Sequence, residues 1–284
     1  MRALILSDGK AGHLNQSVAF CKLKGLGYDI VEIKINFYKK ALCYLFGFLD
    51  FYMDLFGLDL KRDSFDVVVS CGSSTYYEGI FLAKKFNKKC VAIMLPSGFK
   101  FDRFDYIVAN LHDRPPKMKN IVQIPISLSV SEPKNIIDIK SGAVGIIIGG
   151  ENGVFKMDKK SFKKRLDDIV KKHKNSPIYV TTSRRTPKEI EELVEEYGFE
   201  YSLIWSKNKE INPMPDFLNG CEYLYITIDS TSMLSEARAN SRANIEVIEL
   251  ESNQQDTKYH RLAKIVKELD RNFSYKEYLD RIEL

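Results

Sequence analysis

Four short polar runs carry the residues of this chain that can do chemistry, and each directly follows a run of apolar, β-favouring residues. One is Asp229-Ser230-Thr231-Ser232, behind Tyr223–Ile228. Met233, Leu234 and Ala237 then fall at helical spacing, so the segment predicts a buried strand, a polar turn and a helix start. Ser230, Thr231 or Ser232 would cap that helix, and its free N–H groups with the positive dipole end form a ready anion site. Glu236 lies about one turn further on, within reach of a sugar hydroxyl. The alternative is an ordinary capped helix.

Two further runs offer related chemistry. Gly149-Gly150-Glu151-Asn152-Gly153 follows Val144–Ile148, and its glycines allow backbone N–H groups to approach a ligand as an anion nest. Ser183-Arg184-Arg185-Thr186-Pro187 follows Ile178–Thr182, and its guanidinium forks suit phosphate oxygens. Gly-Gly is also a common tight turn, and paired arginines are often solvated; the three runs together raise the ligand reading. The fourth run, Ser7 to Ser17, follows Ala3–Leu6 and has a different character. Gly9 and Gly12 permit a tight turn, Lys10 can contact an anion, and His13 can act as a general base that Asp8 orients or replaces. Otherwise His13 caps a helix or fills a polar gap. His112, His173 and His260 lie apart with no ligand spacing, so a metal site is not expected. Neither a Walker loop nor an intact G-x-G-x-x-G occurs, which weighs against ATPase and NAD-dehydrogenase readings.

The elements that position these runs predict an α/β protein with two Rossmann-like domains whose parallel sheets face across a cleft. Residues 1–130 read as one domain, with strands at Ala3–Leu6, Asp29–Lys34, Asp66–Ser70, Val91–Leu95, Tyr106–Ala109 and Ile121–Ile124 and helices at His13–Lys24 and up to Phe86. Residues 131–142 read as a linker. Residues 143–255 repeat the pattern, with further strands at Phe199–Ile204 and Ile245–Leu250, helices over 158–174 and 188–197, and a short helix at Pro213–Asn219. Residues 256–284 read as C-terminal helices packing back on the first domain. Ligands in such folds bind outside the carboxyl ends of the strands.

Composition narrows the class. The 284 residues are 44% hydrophobic and 29% charged, as in a globular protein. A net charge of +5 fits an anionic ligand or an acidic membrane surface and does not point to nucleic acid. Five scattered cysteines without a C-x-x-C pair argue for reduced thiols and a cytoplasmic setting, and MRALILSDG reads as a first strand, not a signal peptide.

The runs SDGKAGHLNQS, IIIGGENG, TTSRRTP and ITIDSTSMLSEA occur in this order over roughly residues 4–250, and together they resemble the mitochondrial-fission ELM-type family. That family is similar in turn to GT-B glycosyltransferases and nucleotide-sugar epimerases. The resemblance implies a second domain that holds a nucleotide-diphosphate sugar at Gly149, Gly150, Ser183, Arg184, Ser230, Ser232 and Glu236, and the same runs add Asn152, Arg185, Asp229 and Thr231 as candidate contacts. It implies a facing loop formed by Asp8, Gly12, His13 and Asn15, to which the same run adds Lys10 and Gln16, with His13 and Asp8 the candidate catalytic residues. The chain departs from the family after Gly-Gly, where Glu151-Asn152-Gly153-Val154-Phe155 stand in place of a small or polar residue followed by a basic or histidine pair. The implied activity is metal-independent glycosyl transfer, with no separate cofactor, to a lipid-linked or envelope acceptor. A nucleotide-sugar epimerase is the alternative. A second alternative is a non-catalytic scaffold, as in the plant members described as adaptors for a dynamin-like protein; nothing in these residues encodes that role.

Two segments have character of their own. Phe37–Leu60 packs aromatic and leucine residues into one helical-length segment, between Lys39, Lys40 and Lys61, Arg62. Asp50, Asp54 and Asp59 make it too polar to span a bilayer. The readings are a helix lying in the interface at the inner face of the membrane, a helix gripping a lipid-linked acceptor, or a core or dimer-contact helix. The lysines of 156–174 read as the solvated face of a packed helix striped by Phe162, Leu166, Ile169 and Val170.

Overall fold

Strands buried on both faces need largely apolar side chains, and the central β-runs of this chain have them. The computed structural model describes residues 1–284 and divides into two units, Met1–Val130 with Ser274–Leu284, and Ser131–Phe273.

In the first unit β1 (Arg2–Ser7), α1 (Ala11–Leu23), β2 (Gly27–Glu32), α2 (Phe37–Phe48), β3 (Val67–Cys71), α3 (Tyr76–Phe86), β4 (Lys89–Ile93), β5 (Tyr106–Asn110) and β6 (Ile121–Ile124) follow in order. They build a parallel six-stranded sheet ordered β2-β1-β3-β4-β5-β6. Leu4, Leu6, Val68 and Ala92 pack with Tyr76, Tyr77 and Ile80 of α3, while the alternate residues Ile5, Val67, Val69 and Ile93 are equally buried. The chain turns to opposite sides of β1 after β1 and after β2, so β1 and β3 flank a switch point.

The second unit contains β7 (Val144–Ile147), α4 (Lys159–Lys172), β8 (Ile178–Thr181), α5 (Lys188–Glu196), β9 (Tyr201–Leu203), α6 (Met214–Gly220), β10 (Tyr223–Thr227), α7 (Thr231–Asn240), β11 (Asn244–Ile248) and α8 (Lys258–Glu268). Its parallel sheet runs β11-β10-β7-β8-β9, with the switch point between β7 and β10. Phe162, Leu166 and Ile169 of α4 are buried, and Lys163 and Lys164 point outward. The C-terminal residues divide: α8 packs on α7 and β11, whereas α9 (Lys276–Leu279) belongs to the first unit. There Lys24 Nζ donates to the Leu279 and Ile282 carbonyls at 3.1 and 2.9 Å.

The segment expected as one helical length at 37–60 is helical only to Phe48. Asp50 turns left-handed (φ 57°), its carboxylate bonded to Arg103, and Asp54 then accepts the Phe56 and Gly57 N–H groups at 3.2 and 2.6 Å. A short acidic side chain that bonds nearby donors competes with helix continuation. Residues 49–60 return along the unit as irregular chain, Tyr52 stacking on Tyr77 at 5.3 Å.

In α3, Glu78 is fully buried and neither carboxyl oxygen has a hydrogen-bond partner. Burial, reinforced by Asp54, pushes its pKa up to about 8. The folded state therefore holds a proton that the unfolded state releases, and stability falls as pH rises from about 4.5 to about 8, by roughly 1.4 kcal/mol per pH unit at the steepest. Glu78→Gln, neutral throughout, should flatten this decline and raise stability at pH 8. Urea denaturation at several pH values checks it; an unchanged pH profile would contradict the assignment.

Candidate functional site

In the second unit the loops after β7, β8 and β10 meet over one buried carboxylate. The Asp229 side chain is 0% exposed, and its Oδ2 accepts from Arg185 Nη2 at 2.6 Å and from the Gly150 N–H at 2.9 Å. Burial holds the Asp229 carboxyl above the usual carboxylate range, against the opposing pull of Thr227, Gly150 and Arg185. Gly149 donates its N–H to Thr227 Oγ1 at 2.7 Å, and its carbonyl accepts from Ser183 Oγ at 2.6 Å. A Cβ at Gly150 would come within 2.0 Å of the Arg185 carbonyl oxygen, so only glycine lets the β7 and β8 loops touch.

Beside this junction lies a hollow of about 440 Å³. Ser183, Arg184 and Arg185 line it from the β8 loop, Ser230, Ser232, Met233 and Glu236 from α7, and Trp205 and residues 209–214 from the far side. Ser230 caps α7, accepting the Met233 N–H at 3.3 Å. The first N–H groups of α7 have no partner within the helix, and the positive dipole end stands at the hollow. Arg184 is exposed and free of hydrogen bonds and ion pairs, whereas Arg185 is committed to Asp229. Glu236 is half-buried; burial holds its carboxyl above the ordinary range, with Ser131 and Lys134 opposing.

The predicted residues thus separate. Ser183, Arg184, Arg185, Ser230, Ser232 and Glu236 share the hollow, and Thr231 is the first residue of the same helix. The N–H groups of Gly149 and Gly150, expected to face a phosphate, point inward to Thr227 and Asp229. Asn152 accepts the Val154 and Phe155 N–H groups and donates to the Asp229 carbonyl. Its side chain faces a separate recess of about 310 Å³ with Gly153 and Gln254.

Other lining residues escaped the sequence reading. Trp205 is the chain's single tryptophan, two residues past β9, with Lys209 Nζ 5.3 Å from its ring centre. Its backbone N–H donates to Thr182 Oγ1 at 2.8 Å, and that hydroxyl donates to buried Glu191 at 2.9 Å, so α5 sets the loop. The rarity of tryptophan and its place behind a strand were the available signals. Asp216, on α6 just past the lining residue Met214, holds a neighbouring loop: its carboxylate accepts four backbone N–H groups, from Lys134 to Ile137, at 2.6–3.3 Å. Such a cluster needs a residue 79–82 positions away, which no local pattern announces.

In the first unit, Asp8 and His13 straddle the switch point. His13 Nδ1 lies 3.0 and 3.1 Å from the two Asp8 oxygens. An ionised carboxylate only accepts, so Nδ1 is the donor, and in the neutral ring Nε2 keeps its lone pair. Lys10 Nζ closes on the same carboxylate at 3.0 Å. Burial raises the Asp8 pKa, but the Lys10 and His13 partners outweigh it and hold the carboxyl below its ordinary range. The ring lies against Gly72 in the loop after β3, where a Cβ would come within 2.4 Å. Gly12 and Asn15 are exposed near the start of α1, and Gln16 donates to the Gly12 carbonyl at 3.3 Å. No group of three or more His, Cys, Asp or Glu side chains is placed to hold a metal ion.

A family model described as Mitochondrial fission ELM1 matches residues 11–283. The chain belongs to that family. The uncharacterized protein RP120 of Rickettsia prowazekii (strain Madrid E) is a relative, 25% identical over 295 residues, 85% of this chain and 82% of that one. Among solved structures, a putative UDP-N-acetylglucosamine 2-epimerase from Listeria monocytogenes matches this ELM1-family chain with a TM-score of 0.54 at 10% identity, covering 93% of this chain and 86% of that one. S. aureus MnaA, solved with UDP, matches with a TM-score of 0.51 at 11% identity, covering 99% and 97%. At such identities the likeness is one of fold, and the fold of this family member is GT-B-like: two α/β units with wholly parallel sheets.

The two arginines should behave differently. Arg185→Ala leaves the Asp229 carboxyl buried without its cation and should lower stability by about 2 kcal/mol, less than for a fully enclosed pair because Arg185 is a third exposed. Arg184→Ala should shift it by less than about 0.5 kcal/mol. Urea denaturation of both variants checks this; equal losses would remove the distinction.

Proposed function

We propose that this protein is a sugar-nucleotide-dependent enzyme, and that the hollow at the start of α7 holds the diphosphate of a nucleotide sugar. The observation that carries the reading is the convergence of a capped helix N-terminus, an uncommitted arginine and a half-buried carboxyl on one space. The α7 N–H groups and Arg184 take the phosphate oxygens. Glu236 bonds a ribose or sugar hydroxyl. Trp205 offers a flat apolar face to the base. Two relatives in fold support the ligand class, one solved with UDP and one described as a putative UDP-N-acetylglucosamine 2-epimerase.

In the glycosyl-transfer reading, the bond from the anomeric carbon to the diphosphate oxygen breaks as the acceptor oxygen bonds that carbon. Charge grows on the leaving diphosphate, where α7 and Arg184 stabilise it more in the transition state than in the ground state. The acceptor's proton passes to His13 Nε2, with Asp8 orienting the ring and stabilising the imidazolium. Epimerisation is the second reading, favoured by the fold likeness to the Listeria protein; it uses the same donor site without a sugar acceptor.

Thermal shift against UDP-, GDP-, ADP- and CMP-sugars tests the binding claim. One class should raise the melting temperature, and Arg184→Ala should weaken that ligand about tenfold. No shift at millimolar ligand would favour a non-catalytic scaffold. Chromatography of the products then separates transfer, which releases nucleotide only with an acceptor, from epimerisation. Unchanged turnover in both His13→Ala and Asp8→Ala would refute the base assignment.

A further inference from the structure

Helix α2 is apolar on its outer side. Tyr38, Ala41, Leu42, Leu45, Phe48 and Leu49 recur at three- and four-residue spacing, and all are exposed. Phe37, Tyr38 and Phe48 are 80, 77 and 75% exposed. No charged residue interrupts this stripe. The inner side is already satisfied: Cys43 and Gly47 are buried, Tyr44 and Phe46 pack on the unit's core, and the Phe99 ring lies where a Gly47 Cβ would stand. Phe51 and Met53, just beyond the helix, are also exposed. An ordinary surface helix puts charge where α2 puts aromatic rings and leucines.

The surrounding charge identifies the occupant. Lys39 and Lys40 flank the stripe, Lys61 and Arg62 follow in the same stretch of chain, and Lys100 adjoins Phe99, whose ring packs against Gly47 of α2; none of these five makes an ion pair. Asp50 is matched by Arg103 and Lys84, and Asp54 by Lys85, which leaves Asp59 and Asp63 as the unmatched carboxylates of the surround. An apolar stripe with a basic border is complementary to acyl chains beneath anionic headgroups. With 12 residues α2 is about 18 Å long, and no helix in the chain is long and apolar enough to cross a membrane. It would lie flat.

We propose that α2 docks the protein on an anionic lipid bilayer, with Tyr38, Leu45 and Phe48 seated at the acyl–headgroup boundary and Lys39 and Lys40 on the headgroups. Sucrose-gradient flotation of the full chain tests this, using vesicles of phosphatidylcholine alone and of phosphatidylcholine mixed with phosphatidylglycerol. Wild type should float with the mixed vesicles, at least about tenfold more than with the neutral ones, and less at high salt. Tyr38→Ser/Leu45→Ser/Phe48→Ser should lose that recovery by about tenfold while keeping the wild-type melting temperature, because these side chains face solvent. Lys39→Glu/Lys40→Glu, which leaves the apolar stripe intact, should lose the preference for anionic vesicles. Wild type remaining at the bottom with both vesicles, or either variant floating like wild type, overturns the proposal. So does light scattering that shows a wild-type dimer abolished by the serine variant while neither protein floats, since the stripe would then belong to a second copy.

Discussion

The carboxylate of Asp229 is the constraint on which the second unit's loops depend. A carboxylate removed from water needs donors on it, and here they come from Gly150 on the β7 loop and Arg185 on the β8 loop. Asp229 itself stands two residues past β10, so one group ties three strand ends together at the sheet's switch point. With Arg185 held inward, its neighbour Arg184 is left uncommitted, and Ser230 is placed to cap α7 beside it. The polarity of the hollow is a consequence of how the junction beneath it is satisfied.

The first unit solves a similar problem with a different outcome. Asp8 is also nearly enclosed, its side chain 3% exposed, but its partners are a lysine and a histidine, not an arginine. In its neutral form the histidine keeps a second nitrogen with a lone pair, so an arrangement that stabilises the carboxylate also leaves a base. Gly72 makes it sterically feasible, since any side chain there would occupy the space of the imidazole. In both units the polar loops sit where strand order reverses, because helices diverging from adjacent strands leave room at that edge. Helix α2 follows another logic: its inner side is packed as in any α/β unit, while its outer side leaves aromatic rings and leucines exposed.

Much of the architecture was legible from residue order. Apolar runs punctuated by Gly, Ser and Asp placed the strands to within a few residues, since a strand buried on both faces leaves a continuous local signature. Where the reading and the structure differ, a long-range partner intervened. Phe37–Leu60 carries helical composition throughout, yet Asp50 stops the helix because Arg103, 53 positions away, holds its carboxylate.

The chain's order of residues was sufficient by itself for the α/β class, the family motifs and the placement of polar runs behind strands, because those follow from local periodicity and turn chemistry. Folding alone decided which polar groups face inward. Arg184 and Arg185 are adjacent and chemically identical, yet one pairs with a buried carboxylate and the other stays free. The glycines of residues 149–150, which look like a phosphate loop, turn their N–H groups to Thr227 and Asp229. Trp205 and Asp216 became visible only in place. The physical reason is the same throughout: a polar group's partner is set by which strands lie side by side, and sheet order brings together residues 30 to 80 positions apart that no local pattern links.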